Sequence, residues 1–453
     1  MCFMLLLLLL GIVSGQLFQS IQYEQPNEVV LPITGTIPLE INGIVYRNGF
    51  GKFEGHEFEF THLFDALSLV MSFRIQKGKV WSRFKLLDSD YKNQSTFHIP
   101  PYRTLGEIIP PPNNWMVHGL HDNRNGNIIP YGKHLLAIND MAGGVLLDIN
   151  LQTIGKLNPF LSIMSSTHPI QKDNYLYNYE INALGYYEVY RVSDTVKETI
   201  LKIPATQFSY LHSFSITEQY IILALYPVTW NITSIFLSHS ILPELSWTQN
   251  KTFIYIIHKD TGEFHVIPTD PIFSFHHINA YEDKPHSIIL DMIVYHNLSC
   301  FYDLTLESLR RTSRFTHGTL RRYNINILSN FTKWYEPSFP SFEMPSLHPH
   351  FVSRPYQYWY GMGVQNNNGY PLLQGDMIYS TIKKWEKPYQ YPSEPLFITT
   401  GPNELDGIIV SLVYDGFYNY SYLLFLDTNM NQLATANLSI PIPFTCHGHF
   451  FTF

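Results

Sequence analysis

The chain has 453 residues, of which 45% are hydrophobic, 15% aromatic and 15% charged. A typical soluble domain carries about 25% charge, so this one is charge-poor and ring-rich, with enough apolar residues to bury a large core and to exclude a disordered chain. A net charge of -8 without long Lys/Arg runs argues against nucleic acid as a partner, and 20 His against 3 Cys mean that any bound metal is held by imidazole rather than thiolate.

Residues 4–13 form an apolar run with six consecutive leucines. A membrane-spanning helix needs about 20 apolar residues, so the run fits the core of a secretory signal, with Val13-Ser14-Gly15 as its cleavage site. Residues 1–15 are therefore read as a signal peptide and residues 16–453 as a single domain. Only Met1-Cys2-Phe3 precede the run, and none is basic. An uncleaved anchor that associates the chain with a membrane is the alternative.

Acceptor patterns for N-glycosylation begin at Asn93, Asn231, Asn250, Asn297, Asn330, Asn419 and Asn437. Together with the leader they predict a secreted or secretory-lumen glycoprotein. Cys2 departs with the leader, which leaves Cys300 and Cys446; one disulfide between them is open, and nothing in the sequence requires it.

Beyond the leader, short hairpin units recur. Residues 135–138 and 145–149 flank a turn at 139–144, residues 253–257 and 264–267 flank one at 259–262, and residues 422–426 and 433–438 flank one at 427–431. Each is a strand, a turn rich in Asp, Asn or Gly, and a second strand. Further apolar strands fall at 220–225, 287–295 and 407–414. Their even spread predicts an all-β domain, and at this size a β-propeller suits better than a sandwich. Residues 227–247 and 303–311 read as helical or irregular excursions that form a cap.

Four histidines stand out by their surroundings: His168 in Ser166-Thr167-His168-Pro169, His212 in Tyr210-Leu211-His212-Ser213-Phe214, His276 in Phe275-His276-His277-Ile278-Asn279, and His447 in Cys446-His447-Gly448. None lies in a local metal motif with spacings of two to five residues. Such distant residues meet only in a closed architecture that brings successive units to a common axis, which a propeller does.

The segment Phe275-His276-His277-Ile278-Asn279-Ala280-Tyr281-Glu282-Asp283 closely resembles the signature of the carotenoid cleavage oxygenases. The likeness extends through Gly35-Thr36-Ile37-Pro38, Tyr46-Arg47-Asn48-Gly49, His62-Leu63-Phe64-Asp65, Leu211 to Thr217, Tyr391 to Phe397 and Pro443-Phe444-Thr445-Cys446-His447-Gly448. It implies a seven-bladed β-propeller with one Fe(II) per chain on its axis, held by His168, His212, His276 and His447. His276 is preferred over His277 because the family's ligand directly follows the motif's Phe.

The resemblance also implies three carboxylates behind the ligands, which fall on Glu343, Glu394 and Asp140. Relatives usually carry Glu where Asp140 stands. The missing methylene shortens the reach by about 1.5 Å, so a backbone shift or a bridging water is expected there. Phe50 and Ala66 replace the family's usual Pro and Gly.

The activity implied is non-haem iron dioxygenation, which adds O2 across one C=C bond of a carotenoid or apocarotenoid to give aldehyde or ketone products. No separate protein acid or base is assigned. Retinoid isomerisation with ester cleavage, and secreted carotenoid or retinoid binding without turnover, are the alternatives. A lipophilic polyene implies a peripheral membrane contact, for which residues 232–247 are the candidate, with Ile235, Phe236, Ile241, Leu242, Leu245 and Trp247.

Overall fold

The computed structural model describes residues 16–97, 104–110, 121–158, 161–193, 196–205, 207–230, 240–248, 250–312, 315–364 and 369–452. The leader at 1–15, Asn231 and residues 232–239 of the candidate membrane patch, Ile235 and Phe236 among them, lie outside the described residues.

Nine sheets are described, seven of them with four or more strands. These seven follow one another along the chain, and the fold is a β-propeller. The first joins Gln25–Val30, Gly43–Lys52, Leu67–Gln76, Lys79–Leu86 and Thr445–Thr452. The others cover residues 127–157, 162–204, 215–269, 277–335, 342–385 and, with Ile33–Gly35 added, 390–437.

Burial along the strands explains why the sequence alternates in some and not in others. Lys79–Leu86 shows every second residue buried, as expected of a strand with one wet face. Gly407–Asp415 is buried at all but its first residue, because both of its faces meet neighbouring layers. The three hairpins read from the sequence are present: His134–Ile138 with Gly144–Leu147, Thr252–His258 with Phe264–Thr269, and Tyr420–Asp427 with Gln432–Asn437.

The ends of the chain close the ring at two seams. Thr445–Thr452 lies antiparallel to Gly43–Lys52, with Gly43 opposite Thr452 and Arg47 opposite Gly448, while Ile33–Gly35 pairs with Gln432–Asn437. The first seam depends on a small residue. A Cβ on Gly448 would stand 2.1 Å from the Tyr46 carbonyl oxygen and 2.8 Å from Arg47 Cδ. Gly448→Ala is therefore expected to lower stability by about 1–3 kcal/mol, the usual cost of overpacking, read as a fall in denaturant midpoint at unchanged slope.

Of the expected excursions, residues 303–311 are largely helical, whereas 227–247 is corrected in part, since Val228–Trp230 and Leu245–Trp247 are strands. Ser299–Tyr302 and Leu306–Thr312 are helical, and Leu242–Glu244 is a single 3-10 turn. In the described part of the candidate membrane patch, Leu242 and Leu245 are buried in the largest core and Ile241 lines an internal cavity. Those three residues pack inward, because Leu245–Trp247 pairs as a strand with Val228–Trp230. Among the described residues no helix is long and apolar enough to cross a membrane. Cys300 and Cys446 are both buried free thiols, so the disulfide left open by the sequence is not formed.

Candidate metal centre and cavity

The four histidines arrive from four blades. His168 follows the strand Ser162–Ser165, His212 precedes Ser215–Ile216, His276 precedes His277–Lys284, and His447 lies within Thr445–Thr452. Serines stitch these segments together. Ser166 Oγ accepts from the His168 N–H at 2.9 Å and donates to the His212 carbonyl at 2.7 Å. Ser213 Oγ donates to the Phe275 carbonyl at 2.6 Å and accepts from the His277 N–H at 2.9 Å. The His447 N–H donates to the Gly126 carbonyl at 3.2 Å.

One ring nitrogen from each histidine converges, and all four lie within 4.8 Å of one another. The Nε2 atoms of His168 and His212 are 3.1 Å apart, and those of His276 and His447 are 3.4 Å apart. Nitrogens about 2.1 Å from a metal and at right angles to each other stand about 3.0 Å apart, so these separations suit imidazoles around one ion.

Three carboxylates meet the opposite ring nitrogens. His212 Nδ1 lies 2.8 Å from Asp140 Oδ2, His276 Nδ1 2.6 Å from Glu343 Oε2, and His447 Nδ1 2.7 Å from Glu394 Oε1. An ionised carboxylate only accepts, so Nδ1 carries the proton and donates, and Nε2 of each neutral ring presents a bare lone pair. His276 and His447 thus aim two lone pairs at each other across 3.4 Å, an arrangement that a cation relieves. The donor set fits a metal on that observation alone. Among the described residues no carboxylate hydrogen-bonds to the His168 ring.

Burial drives the His168 ring well below its ordinary pKa, and neighbouring His447, His212 and His276 push the same way. Burial likewise takes His447 down to about 4, against the pull of Glu394. For the carboxylates, burial is the largest influence and acts upward, but it is overcome. Histidine charge and hydrogen bonds hold Asp140, Glu343 and Glu394 below the ordinary carboxylate range. Neutral rings at His168 and His447 and ionised carboxylates at Asp140, Glu343 and Glu394 are the protonation states that metal ligation requires.

The shorter side chain at Asp140 needs no bridging water. The Asp140 carbonyl accepts from Ser165 N at 3.0 Å and Met141 bridges to Met164, which holds this loop beside His168 and His212. Asp140 Oδ1 also accepts from Thr167 Oγ1, and Oδ2 from the Tyr210 hydroxyl, each at 2.5 Å. Of the two routes expected there, the bridging water is not needed, since the contact is direct.

Sequence reasoning missed four residues behind these carboxylates. Thr167 and Tyr210 hold Asp140, the Tyr295 hydroxyl donates to Glu343 Oε1, and Arg47 donates to Glu394. Thr167 adjoins His168, Tyr210 stands two before His212, and Arg47 lies in a family-like motif, so each carried a faint signal. Tyr295 carried none.

A cavity of about 430 Å³ opens beside the histidines. His212, His276 and His447 line it, and its wall is mostly apolar, with Phe64, Met164, Tyr210, Trp230 and Phe275 among the large side chains. Tyr210 stacks on Trp230 at 5.6 Å, and Phe273 meets Phe275 edge-on at 4.7 Å, which fixes the rings in place. Both departures noted in the sequence are accommodated. Phe50 is a cavity wall residue, and Ala66 has φ -56° and ψ 144°, a conformation open to any L-residue.

Fold and site together define a β-propeller whose axis carries a four-histidine candidate metal centre beside an apolar cavity. The family described as retinal pigment epithelial membrane protein matches residues 18–452, and the chain belongs to this family of carotenoid oxygenases. It is 27% identical to a mitochondrial carotenoid-cleaving dioxygenase of Homo sapiens, with 94% of this chain and 89% of that one covered. It is 25% identical to chloroplastic carotenoid cleavage dioxygenase 8 of Arabidopsis thaliana, with 92% and 82% covered.

Among solved structures, a Glu-to-Gln variant of the Synechocystis apocarotenoid oxygenase superposes with a TM-score of 0.86 at 25% identity, covering 98% of this chain and 99% of that one. A cobalt-substituted form of the same oxygenase shares the fold, with a TM-score of 0.85 at 24% identity and the same coverage.

Proposed function

We propose that the chain is a ferrous-iron dioxygenase that cleaves one C=C bond of a carotenoid or apocarotenoid to aldehyde or ketone products. The observation that carries this reading is the set of bare imidazole nitrogens facing an apolar cavity: His276 and His447 meet at 3.4 Å, each backed by a carboxylate. The named activities of the relatives support the same chemistry. The seven larger sheets support a seven-bladed propeller, with residues 16–453 as one domain.

His168, His212, His276 and His447 would hold one Fe(II) through nitrogen, a donor set that suits ferrous iron but also accepts zinc or copper by affinity alone. Bound there, the iron supplies the electronic step that joins O2 to the polyene. The chain's own residues do the rest. Asp140, Glu343 and Glu394 keep the Nδ1 protons in place and so fix tautomer and ring plane. The cavity's rings hold a lipophilic polyene in one orientation and exclude water, which limits side reactions.

The secretory reading is likewise a proposal, with peripheral membrane contact as part of the polyene reading. Asn93, Asn250, Asn297, Asn330 and Asn419 are exposed, which supports access by the glycosylation machinery, whereas Asn437 is half-buried in a strand. Chain expressed in animal cells is expected to lose mass on glycosidase treatment; an unchanged mass would contradict secretory passage.

The function is tested by incubating purified, iron-loaded chain with a panel of carotenoids, apocarotenoids and retinyl esters, with and without air. Chromatography is expected to show two shorter carbonyl fragments only with air. An isomerised retinoid, or tight binding with the polyene recovered intact, would replace the dioxygenase reading.

A further inference from the structure

The three carboxylates behind the histidines differ in what balances their charge. Asp140 accepts from the hydroxyls of Thr167 and Tyr210, and Glu343 from the Tyr295 hydroxyl and the Met344 N–H, all neutral donors. Glu394 faces a cation. Arg47 Nη1 donates to its Oε2 at 3.1 Å, while His447 Nδ1 donates to Oε1 at 2.7 Å. Arg47 is only 1% exposed, and its Nη2 donates to Ser393 Oγ at 2.7 Å and to the Cys446 carbonyl at 3.0 Å.

Among the described residues no other Lys or Arg forms an ion pair with any of the three carboxylates. Arg124 is also buried in this region, but it donates to Asn139 Oδ1 and to the carbonyls of Met141 and Ala142.

Each carboxylate is surrounded by donors, which the ionised form requires, and a guanidinium stays protonated in proteins. Imidazoles ligate a metal in their neutral form and add no charge, so three carboxylates and one guanidinium leave two negative charges in the contact shell. Uncompensated buried charge is costly. A divalent ion brings the shell to neutrality, and a trivalent ion leaves it positive.

We propose that Arg47 is a positioning residue that holds Glu394 against His447 and sets the charge of the shell, matching the four-histidine site to a divalent rather than a trivalent ion. The proposal rests on the metal-centre reading above. It assigns to the motif Tyr46-Arg47-Asn48-Gly49, on the strand that closes the ring, a role in choosing the oxidation state of the metal.

The test compares iron-loaded full-length chain with Arg47→Gln, Glu394→Gln and the double variant, reading the midpoint potential of the Fe(III)/Fe(II) couple. Arg47→Gln adds net negative charge and is expected to favour Fe(III) at least tenfold, a fall of about 59 mV for a one-electron couple. Glu394→Gln is expected to move the potential upward by at least as much, and the double variant to return within threefold of the unaltered chain. Single variants that shift in the same direction, or a double variant further displaced than either, would show a merely structural role and overturn the proposal.

Arg47→Lys keeps the charge without the planar fork and is expected to leave the potential unchanged even if it melts earlier. A shift as large as that expected for Arg47→Gln would overturn the proposal, and this arm stands if Arg47→Gln does not fold. If the unaltered chain takes up no iron, the iron reading fails by itself. The charge inference is then read by competition between Zn(II) and Ga(III), where Arg47→Gln is expected to shift preference at least tenfold toward Ga(III). An unchanged preference, or no binding of either ion, would overturn it.

Discussion

His276→Ala is expected to abolish metal binding, whereas His277→Ala, one residue along, is expected to retain it. The two adjoin, but successive side chains at the start of a strand point to opposite faces. His276 sends Nε2 into the cluster, 3.4 Å from that of His447, and Nδ1 to Glu343. His277 sits on the other side between Ser215 Oγ and the Tyr226 hydroxyl, each 2.9 Å away.

Loss of His276 removes a quarter of the donor set and leaves the Glu343 carboxylate without its histidine partner, so metal and oxygenase activity fall together. Loss of His277 leaves two buried groups short of a partner, at a cost of about 1–3 kcal/mol in stability, with the metal kept. Elemental analysis of the two purified variants, alongside their melting temperatures, separates these outcomes. Metal retained in His276→Ala and lost in His277→Ala would overturn the assignment of the ligand.

The second large effect concerns Asp140. Asp140→Ala is expected to weaken metal binding about 10- to 100-fold, the usual consequence of losing a partner behind a ligating imidazole. The loss goes beyond one bond, because the carboxylate gathers His212, Thr167 and Tyr210 at a single point. Without it, His212 loses the acceptor that fixes its tautomer, and the Tyr210 ring loses its anchor in the cavity wall.

Asp140→Glu, which restores the residue common among relatives, is expected to weaken binding as well. Asp140 already stands 2.8 Å from His212, so an added methylene of about 1.5 Å pushes into Thr167 and Tyr210. Competition against a chelator of known affinity measures both variants. Tighter binding in Asp140→Glu would show that the loop geometry is not adapted to the shorter side chain.

Much of this site was legible in the sequence, for a physical reason. Each ligand sits beside a strand whose apolar pattern is local, as in Phe275-His276-His277-Ile278, so a short motif identifies both the strand and the residue at its end. The hairpins at 134–147, 252–269 and 420–437 were legible for the same reason: strand, turn and strand are adjacent. Contacts made across the ring were not. Arg47 meets the Cys446 carbonyl across a separation of 399 residues, and Tyr295 meets Glu343 with no motif around it.

The choice at Asp140 was hidden for the same reason. Counting methylenes left a backbone shift and a bridging water both open, and the contacts of Asp140 and Met141 with Ser165 and Met164 lie outside any short motif. The candidate membrane patch was misread in part because apolar residues look alike whether they face lipid or core. Leu242 and Leu245 proved to be core, and Ile241 faces the cavity.

The central claim is most directly tested by incubating the iron-loaded chain with a polyene under 18O2 and analysing the products by mass spectrometry. Both carbonyl fragments are expected to carry label from O2, with turnover lost in His276→Ala. Unlabelled fragments, or a polyene recovered uncleaved by chain that holds its full complement of iron, would contradict the dioxygenase reading.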